Sequence, residues 1–199
     1  MDFQDLRLQL GGMDIYLLDQ IVKGRYSKNE IILDAGCGGG RNLHWFYENG
    51  YDIWAVDREK TAVGQVKRSY SRIESQVSLA ELDNLPFGDD RFDHIICSAV
   101  LHFATSIDHF LKMFTELVRV LKPGGSIFIR MASDIGLESR ITPRGKGIYG
   151  LPDGSDRFLL TKELLHKVMK TLDLKFLEPL KTTNVNDLRC MTTLVLQKS

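Results

Sequence analysis

The stretch Ile31-Ile32-Leu33-Asp34-Ala35-Gly36-Cys37-Gly38-Gly39-Gly40-Arg41-Asn42 constrains this 199-residue chain more than any other. An apolar run with two β-branched residues ends in an acid, and four glycines follow within five positions. That order predicts a buried strand that stops abruptly, a tight turn, and the start of a helix. Glycine there allows positive φ and leaves no Cβ between the main chain and a ligand. The first amides of the following helix favour an anionic or polar group at the same spot. The pattern predicts a nucleotide-type pocket at the carboxyl end of a strand.

Two nucleotide signatures are missing. The dinucleotide fingerprint needs a third glycine for close helix packing. Counting from Gly36 and Gly38 that place holds Arg41, and counting from Gly38 and Gly40 it holds Leu43. No Gly-Lys-Ser or Gly-Lys-Thr follows, so a P-loop is excluded as well. What remains, Asp34-x-Gly36-x-Gly38-x-Gly40, resembles the glycine loop of the class I S-adenosylmethionine-dependent methyltransferases.

Later segments extend the likeness. Tyr51 to Asp57 reads as a second strand ending in an acid about 20 residues past the glycines, suited to a pair of ribose hydroxyls. The resemblance gives that role to Asp57 and lays Arg58 against the adenine. Glu81-Leu82-Asp83-Asn84-Leu85-Pro86-Phe87 resembles the family's Asp-Ala-x-x-Leu-Pro-Phe segment. By that match Glu81 accepts the adenine amino proton and the Leu82 amide meets a ring nitrogen, with Asp83 as the alternative acid. Arg91 to Ser98 is similar to the family's fourth strand, and Leu117 to Gly125 to its helix and Pro-Gly-Gly turn. The likeness runs from about residue 30 to 131 and implies S-adenosylmethionine as cofactor. It implies contacts from Asp34, Gly36, Cys37, Gly38, Asn42, Asp57, Arg58, Glu81, Leu82 and Ser98. Locally, Gly40-Arg41-Asn42 with Asn49-Gly50-Tyr51-Asp52 is also similar to small tellurite-resistance-type methyltransferases.

Composition narrows the partners. Twenty-six basic residues balance 26 acidic ones, with no basic excess of the kind that phosphate neutralisation demands. This argues against long nucleic-acid substrates. The start, Met1-Asp2-Phe3-Gln4-Asp5, lacks a signal peptide's basic and apolar regions, and no apolar run reaches membrane-spanning length. Three scattered cysteines suit a reducing compartment, so a cytoplasmic protein is expected. Cys37 beside a helix start has the position of an activated thiol, but its size suits packing behind the loop better. No zinc spacing or His-Glu-x-x-His occurs, which argues against a metal.

Along the chain, residues 1–29 read as an N-terminal helical segment, with a helix over 13–24 striped by Ile15, Leu18, Ile21 and Val22. The resemblance implies that such a helix closes over the cofactor, which would bring Tyr16 and Arg25 to its methionine end; the stripe itself suits Tyr16 as a packing residue and Arg25 as a solvated charge better. Leu43, Trp45, Phe46 and Tyr47 suggest core packing after the glycines. A helix over 107–121 is expected, boxed by Thr105 and Asp108 and stopped by Pro123-Gly124-Gly125, with a strand from Ser126 to Met131. Residues 132–157 are glycine-rich and read as a long irregular substrate loop, in which Arg144, Tyr149 and Arg157 have the chemistry to anchor an anion but read more simply as ordinary loop residues. A last helix, capped by Thr161, precedes two strands, 174–181 and 187–197, joined as a hairpin. Alternating strands and helices predict a parallel, doubly wound sheet. The hairpin matches the antiparallel pair of the family's seven-stranded sheet. The chain is thus expected to be one α/β domain over residues 1–199.

Methyl transfer from a sulfonium needs positioning more than acid or base. His102, just past the fourth strand, is the candidate proton acceptor, though its ring could equally line the pocket. The expected function is methyl transfer to a small acceptor. The alternatives are a non-catalytic binding protein that keeps the fold and, behind it, a nicotinamide-linked oxidoreductase that the missing third glycine disfavours.

Overall fold

The computed structural model describes residues 2–199; Met1, part of the start read above, lies outside them. In chain order it contains α1 (Phe3–Leu10), α2 (Ile15–Val22), β1 (Ile31–Ala35), α3 (Leu43–Glu48), β2 (Asp52–Asp57), α4 (Lys60–Ser69) and β3 (Val77–Leu79). There follow β4 (Phe92–Ser98), α5 (Ile107–Val120), β5 (Leu121–Ser133), β6 (Thr142–Gly145), β7 (Ile148–Gly150) and β8 (Asp156–Phe158). The chain ends with α6 (Lys162–Thr171), β9 (Leu174–Phe176), β10 (Lys181–Val185) and β11 (Arg189–Lys198).

The main sheet runs β10-β11-β5-β4-β1-β2-β3, with the five strands from β1 to β5 parallel and β11 antiparallel to β5. β9 and β10 pair with successive stretches of β11, so eight segments fill seven positions. The doubly wound, mostly parallel sheet expected from the sequence is therefore present. The run Ile31-Ile32-Leu33 shows no alternation because both faces of β1 are covered. Ile32 packs with Leu17 of α2, Phe46 of α3 and Val63 of α4, whereas Leu33 and Ala35 face Phe110 and Phe114 of α5. Strand order reverses between β1 and β4, which opens a crevice at their carboxyl ends.

Four local expectations are corrected. α2 exposes Ile15 and Val22 and buries Leu17 and Gln20. Polar bonds set its orientation: Asp14 Oδ1 accepts the Tyr16 amide at 3.0 Å, and Gln20 Nε2 donates to Glu178 Oε1 at 3.1 Å. α5 is capped by Ser106, whose Oγ accepts the His109 amide at 3.1 Å, one residue past the expected Thr105 box. Residues 132–157 are not irregular, because β6, β7 and β8 form a separate antiparallel sheet. Strands this short, largely exposed, carry no alternation to read. Ala132 and Leu160 pair at the base of this flap, and Leu151 and Leu159 form a small core with Ala132. Finally, the expected strand 174–181 is broken, since Pro179 has no amide to donate.

At that break, Glu178 gathers Lys23, Arg25 and Lys181 at 2.9–3.2 Å and ties α2 to the sheet edge. Burial pushes its carboxyl up, but hydrogen bonds from Lys23, Lys181 and Gln20 outweigh this and hold it near pH 2 rather than 4.5. A carboxylate held down in the folded state contributes stability that is complete above about pH 4.5 and lost as pH falls toward about 2. Urea unfolding followed from pH 5 to pH 2 should therefore show an acid loss that Glu178→Gln reduces; equal acid sensitivity in the variant would exclude the cluster as its source.

Candidate functional site

The glycine turn is strapped to its neighbours by the backbone. The Gly36 and Cys37 amides both donate to the Val56 carbonyl, at 2.9 and 3.0 Å. The Gly38 amide donates to Asp57 Oδ2 at 2.8 Å, and the Glu59 amide to Oδ1 at 2.9 Å. The carboxylate of Asp57 thus links the loops after β1 and β2 and stands at the rim of a cleft of about 280 Å³. Gly36 has φ +85°, and a Cβ there would lie 2.4 Å from Val100 Cγ2. Gly38 has φ +52° with nothing within 4 Å of an added Cβ, so a side chain there would find open space.

Six of the sequence-predicted residues meet in this cleft: Gly36, Gly38, Asp57, Arg58, Glu81 and Leu82. Glu81 reaches it and Asp83 does not. Asp34 lies beneath the turn, 1% exposed, with its Oδ2 buried and without a partner. Burial pushes its carboxyl up to about 7, opposed by Arg41 and reinforced by Asp57. Cys37 is buried behind the loop, and burial together with Asp34 and Asp57 raises its thiol far above the usual value. It is a packing residue in a neutral state, with nothing to activate it.

Asn42 and Ser98 are gathered elsewhere, around Asp14. The Asp14 amide donates to Asn42 Oδ1 at 3.1 Å, and Ser98 Oγ donates to Asp14 Oδ2 at 2.9 Å. Arg130 at 3.2 Å and Arg41 at 3.7 Å share that same carboxylate oxygen. Neither Tyr16 nor Arg25 lines the cleft: the Tyr16 hydroxyl pairs with Thr183, and Arg25 donates to Gln20 Oε1 at 2.6 Å. Sequence reasoning missed Asp14 altogether; an acid before a helix signals a cap, and nothing local announces its long-range partners.

A second pocket of about 290 Å³ adjoins the first, and Ala99 lines both. Ala99 closes β4 with φ +64°, a conformation uncommon outside glycine and typical of constrained sites. His102 faces this second pocket rather than the glycine cleft. The Ala132 amide donates to its Nδ1 at 3.4 Å. Burial, then the charges of Arg157 and Arg189, push its pKa down to about 4. The flap supplies Leu151, Asp153, Ser155 and Arg157 to one wall. Arg144 instead pairs with Asp156 at 3.3 Å, and Tyr149 packs against the small flap core. The walls missed in the sequence, Val100, Phe103 and Met113 of the first pocket and Arg189 and Met191 of the second, come from elements far apart in the chain. Only the placement of His102 after β4 hinted that its neighbours would open on the crevice.

A family model described as a methyltransferase domain matches residues 33–129, the span that builds the glycine cleft. Over that span the chain resembles methyltransferase domains, and its fold is the Rossmann-like fold of the S-adenosylmethionine-dependent methyltransferases. It is 28% identical over 121 residues to the uncharacterized methyltransferase YodH of Bacillus subtilis, covering 60% of this chain and 47% of that one. The chain spans about half the length of the curated relatives it matches. Among solved structures, an S-adenosylmethionine-dependent methyltransferase of Methanosarcina mazei superposes with a TM-score of 0.73 at 17% identity, covering 89% of this chain and 96% of that one. The Burkholderia thailandensis 1,6-didemethyltoxoflavin-N1-methyltransferase, solved with bound 1,6-didemethyltoxoflavin and S-adenosylhomocysteine, gives 0.70 at 18% identity, covering 98% of this chain and 82% of that one. These two share the methyltransferase fold with this chain.

The cleft fits an adenosine in its chemistry. A carboxylate at a strand end suits two hydroxyls, and apolar Leu82 and Met113 suit a purine face. In the variant Gly38→Val, a branched side chain should occupy this space and strain the turn by about 1–2 kcal/mol. Circular dichroism should show a folded protein and calorimetry no adenosylmethionine binding; normal binding would place the ligand away from the loop.

Proposed function

We propose that this chain transfers the methyl group of S-adenosylmethionine to a small acceptor held in the pocket beyond Ala99. The observation that carries the proposal is the pair of adjoining pockets at the switch point, one built on the glycine turn and the other beneath the flap, with Ala99 as their common wall.

Asp57, with both oxygens already oriented by backbone amides, would take the ribose hydroxyls. Glu81, Leu82 and Arg58 would surround the base, and the loop of Gly36 and Gly38 would let the sulfur-bearing chain lie against the backbone. Asp34, Cys37, Asn42 and Ser98 would then shape the floor of the site. Bound there, the cofactor supplies a methyl on a sulfonium whose sulfur leaves neutral, so the protein's main contribution is alignment.

His102 has its Nδ1 lone pair engaged by the Ala132 amide, which leaves the proton on Nε2. With its pKa near 4 it stays neutral at pH 7, and it serves this site as a hydrogen-bond donor to the acceptor rather than as a base. The flap, anchored at Ala132 and Leu160, excludes water from the acceptor. Balanced net charge supports a small acceptor over a long nucleic acid. No helix among the described residues is long and apolar enough to cross a membrane. Three buried, unpaired cysteines support a reducing, cytoplasmic setting.

Thermal shift with S-adenosylmethionine and S-adenosylhomocysteine, followed by turnover on a panel of small acceptors, tests the proposal. Stabilisation by both and product with at least one acceptor is the expected result. Stabilisation without methyl transfer to any acceptor would favour a binding protein, and no stabilisation would remove the cofactor.

A further inference from the structure

The pocket beyond Ala99 has an unusual charge balance. Four guanidinium groups, those of Arg41, Arg130, Arg157 and Arg189, line a space of about 290 Å³. Two carboxylates answer them. Asp14 is shared between Arg130 and Arg41, and Asp153 stands 4.0 Å from Arg189. Both oxygens of Asp153 are committed, since Oδ1 also accepts the Ser155 amide and hydroxyl at 3.0 and 2.6 Å. Counting Asp14 behind the lining and Asp153 within it, four guanidinium groups against two carboxylates leave an excess of two positive charges around the pocket.

Arg157 is the clearest of these. It donates to a backbone carbonyl, that of Asp156 at 2.8 Å, and its guanidinium lies 5.4 Å from the Phe103 ring centre. The Nε of Arg130 is buried and has no partner. His102 adds a neutral N–H donor on the same side, its protonation opposed by burial and by Arg157 and Arg189. The pocket thus offers donors in excess of acceptors, above apolar Leu151, Val185 and Met191. Forked guanidinium donors match planar or tetrahedral oxyanions and discriminate against neutral isosteres.

We infer that this pocket is selective for small acceptors carrying an oxyanion group, a carboxylate or a phosphate, held by Arg157 and Arg189 beside the apolar wall. The inference rests on the methyltransferase proposal and specifies the acceptor class. Arg157 comes from β8 of the flap and Arg189 from β11, so an oxyanion between them would also tie the flap to the main sheet.

The test uses full-length protein saturated with S-adenosylhomocysteine, so that cofactor binding is measured first and separately. Benzoate, phenyl phosphate and benzamide, matched in their ring, are then titrated by calorimetry. At least one anion should bind about tenfold or more tightly than benzamide, as expected of charge-assisted bidentate pairs. Preference between the two anions identifies the oxyanion as carboxylate or phosphate. Arg157→Gln combined with Arg189→Gln should erase the preference while S-adenosylhomocysteine affinity stays unchanged, and Arg157→Lys should retain part of it. Neither anion binding more tightly than benzamide, including neither binding at all, overturns the inference while leaving the methyltransferase proposal standing. Failure of S-adenosylhomocysteine itself to bind would overturn that proposal instead.

Discussion

Asp57→Ala should lower affinity for S-adenosylmethionine by about a hundredfold, the loss of two hydrogen bonds to a charged group at about 1.5 kcal/mol each. Part of the loss comes from the loop itself. The same carboxylate accepts the Gly38 and Glu59 amides, so its removal frees the turn that must lie against the ligand. Asp57→Asn, which keeps one acceptor oxygen, should fall between the two. The decisive measurement is calorimetric titration of variants shown to be folded by circular dichroism. Undiminished affinity in Asp57→Ala would take this acid out of the site and leave the second strand without the role its position suggests.

The second large effect should be on stability. Asp14 is 4% exposed and accepts from the Tyr16 amide, the Ser98 hydroxyl and the Arg130 guanidinium, with Arg41 nearby. Asp14→Ala removes one member of a buried ion pair and leaves Arg130, whose Nε is already without a partner, facing no carboxylate. Breaking such a pair costs about 3–5 kcal/mol. For a chain of this size that lowers the melting temperature by about 6–20 °C. The variant should also take up anions in the second pocket more strongly, because both Arg41 and Arg130 line it. A melting temperature unchanged within error would mean that α2 docks through its apolar contacts alone.

How much of this was legible in the chain depends on how local the signal is. Asp34 to Gly40 could be read directly, because an acid, a glycine turn and a helix start lie within a dozen residues and each obeys its own backbone rule. Asp57 and Glu81 were also placed, since the βαβ unit brings each following strand end back to the same edge of the sheet. Ser98 and Asn42, expected near the cofactor, also hold Asp14. A partner more than 80 residues away from Ser98 leaves no local trace in the sequence. The flap shows the same limit: three strands of three or four residues looked irregular because too little of each is buried to create a period.

The sequence by itself determined the parallel sheet, its order of strands and helices, and the glycine cleft at the crevice. These follow from periodicity and turn chemistry, which act over a few residues at a time. Only the tertiary structure decided which face of α2 is buried, that His102 belongs to a pocket separate from the glycine cleft, and that Arg41, Arg130, Arg157 and Arg189 meet around one space. Those outcomes depend on the balance of charge and burial among groups from five parts of the chain. Such a balance exists only once the sheet and flap have brought them together.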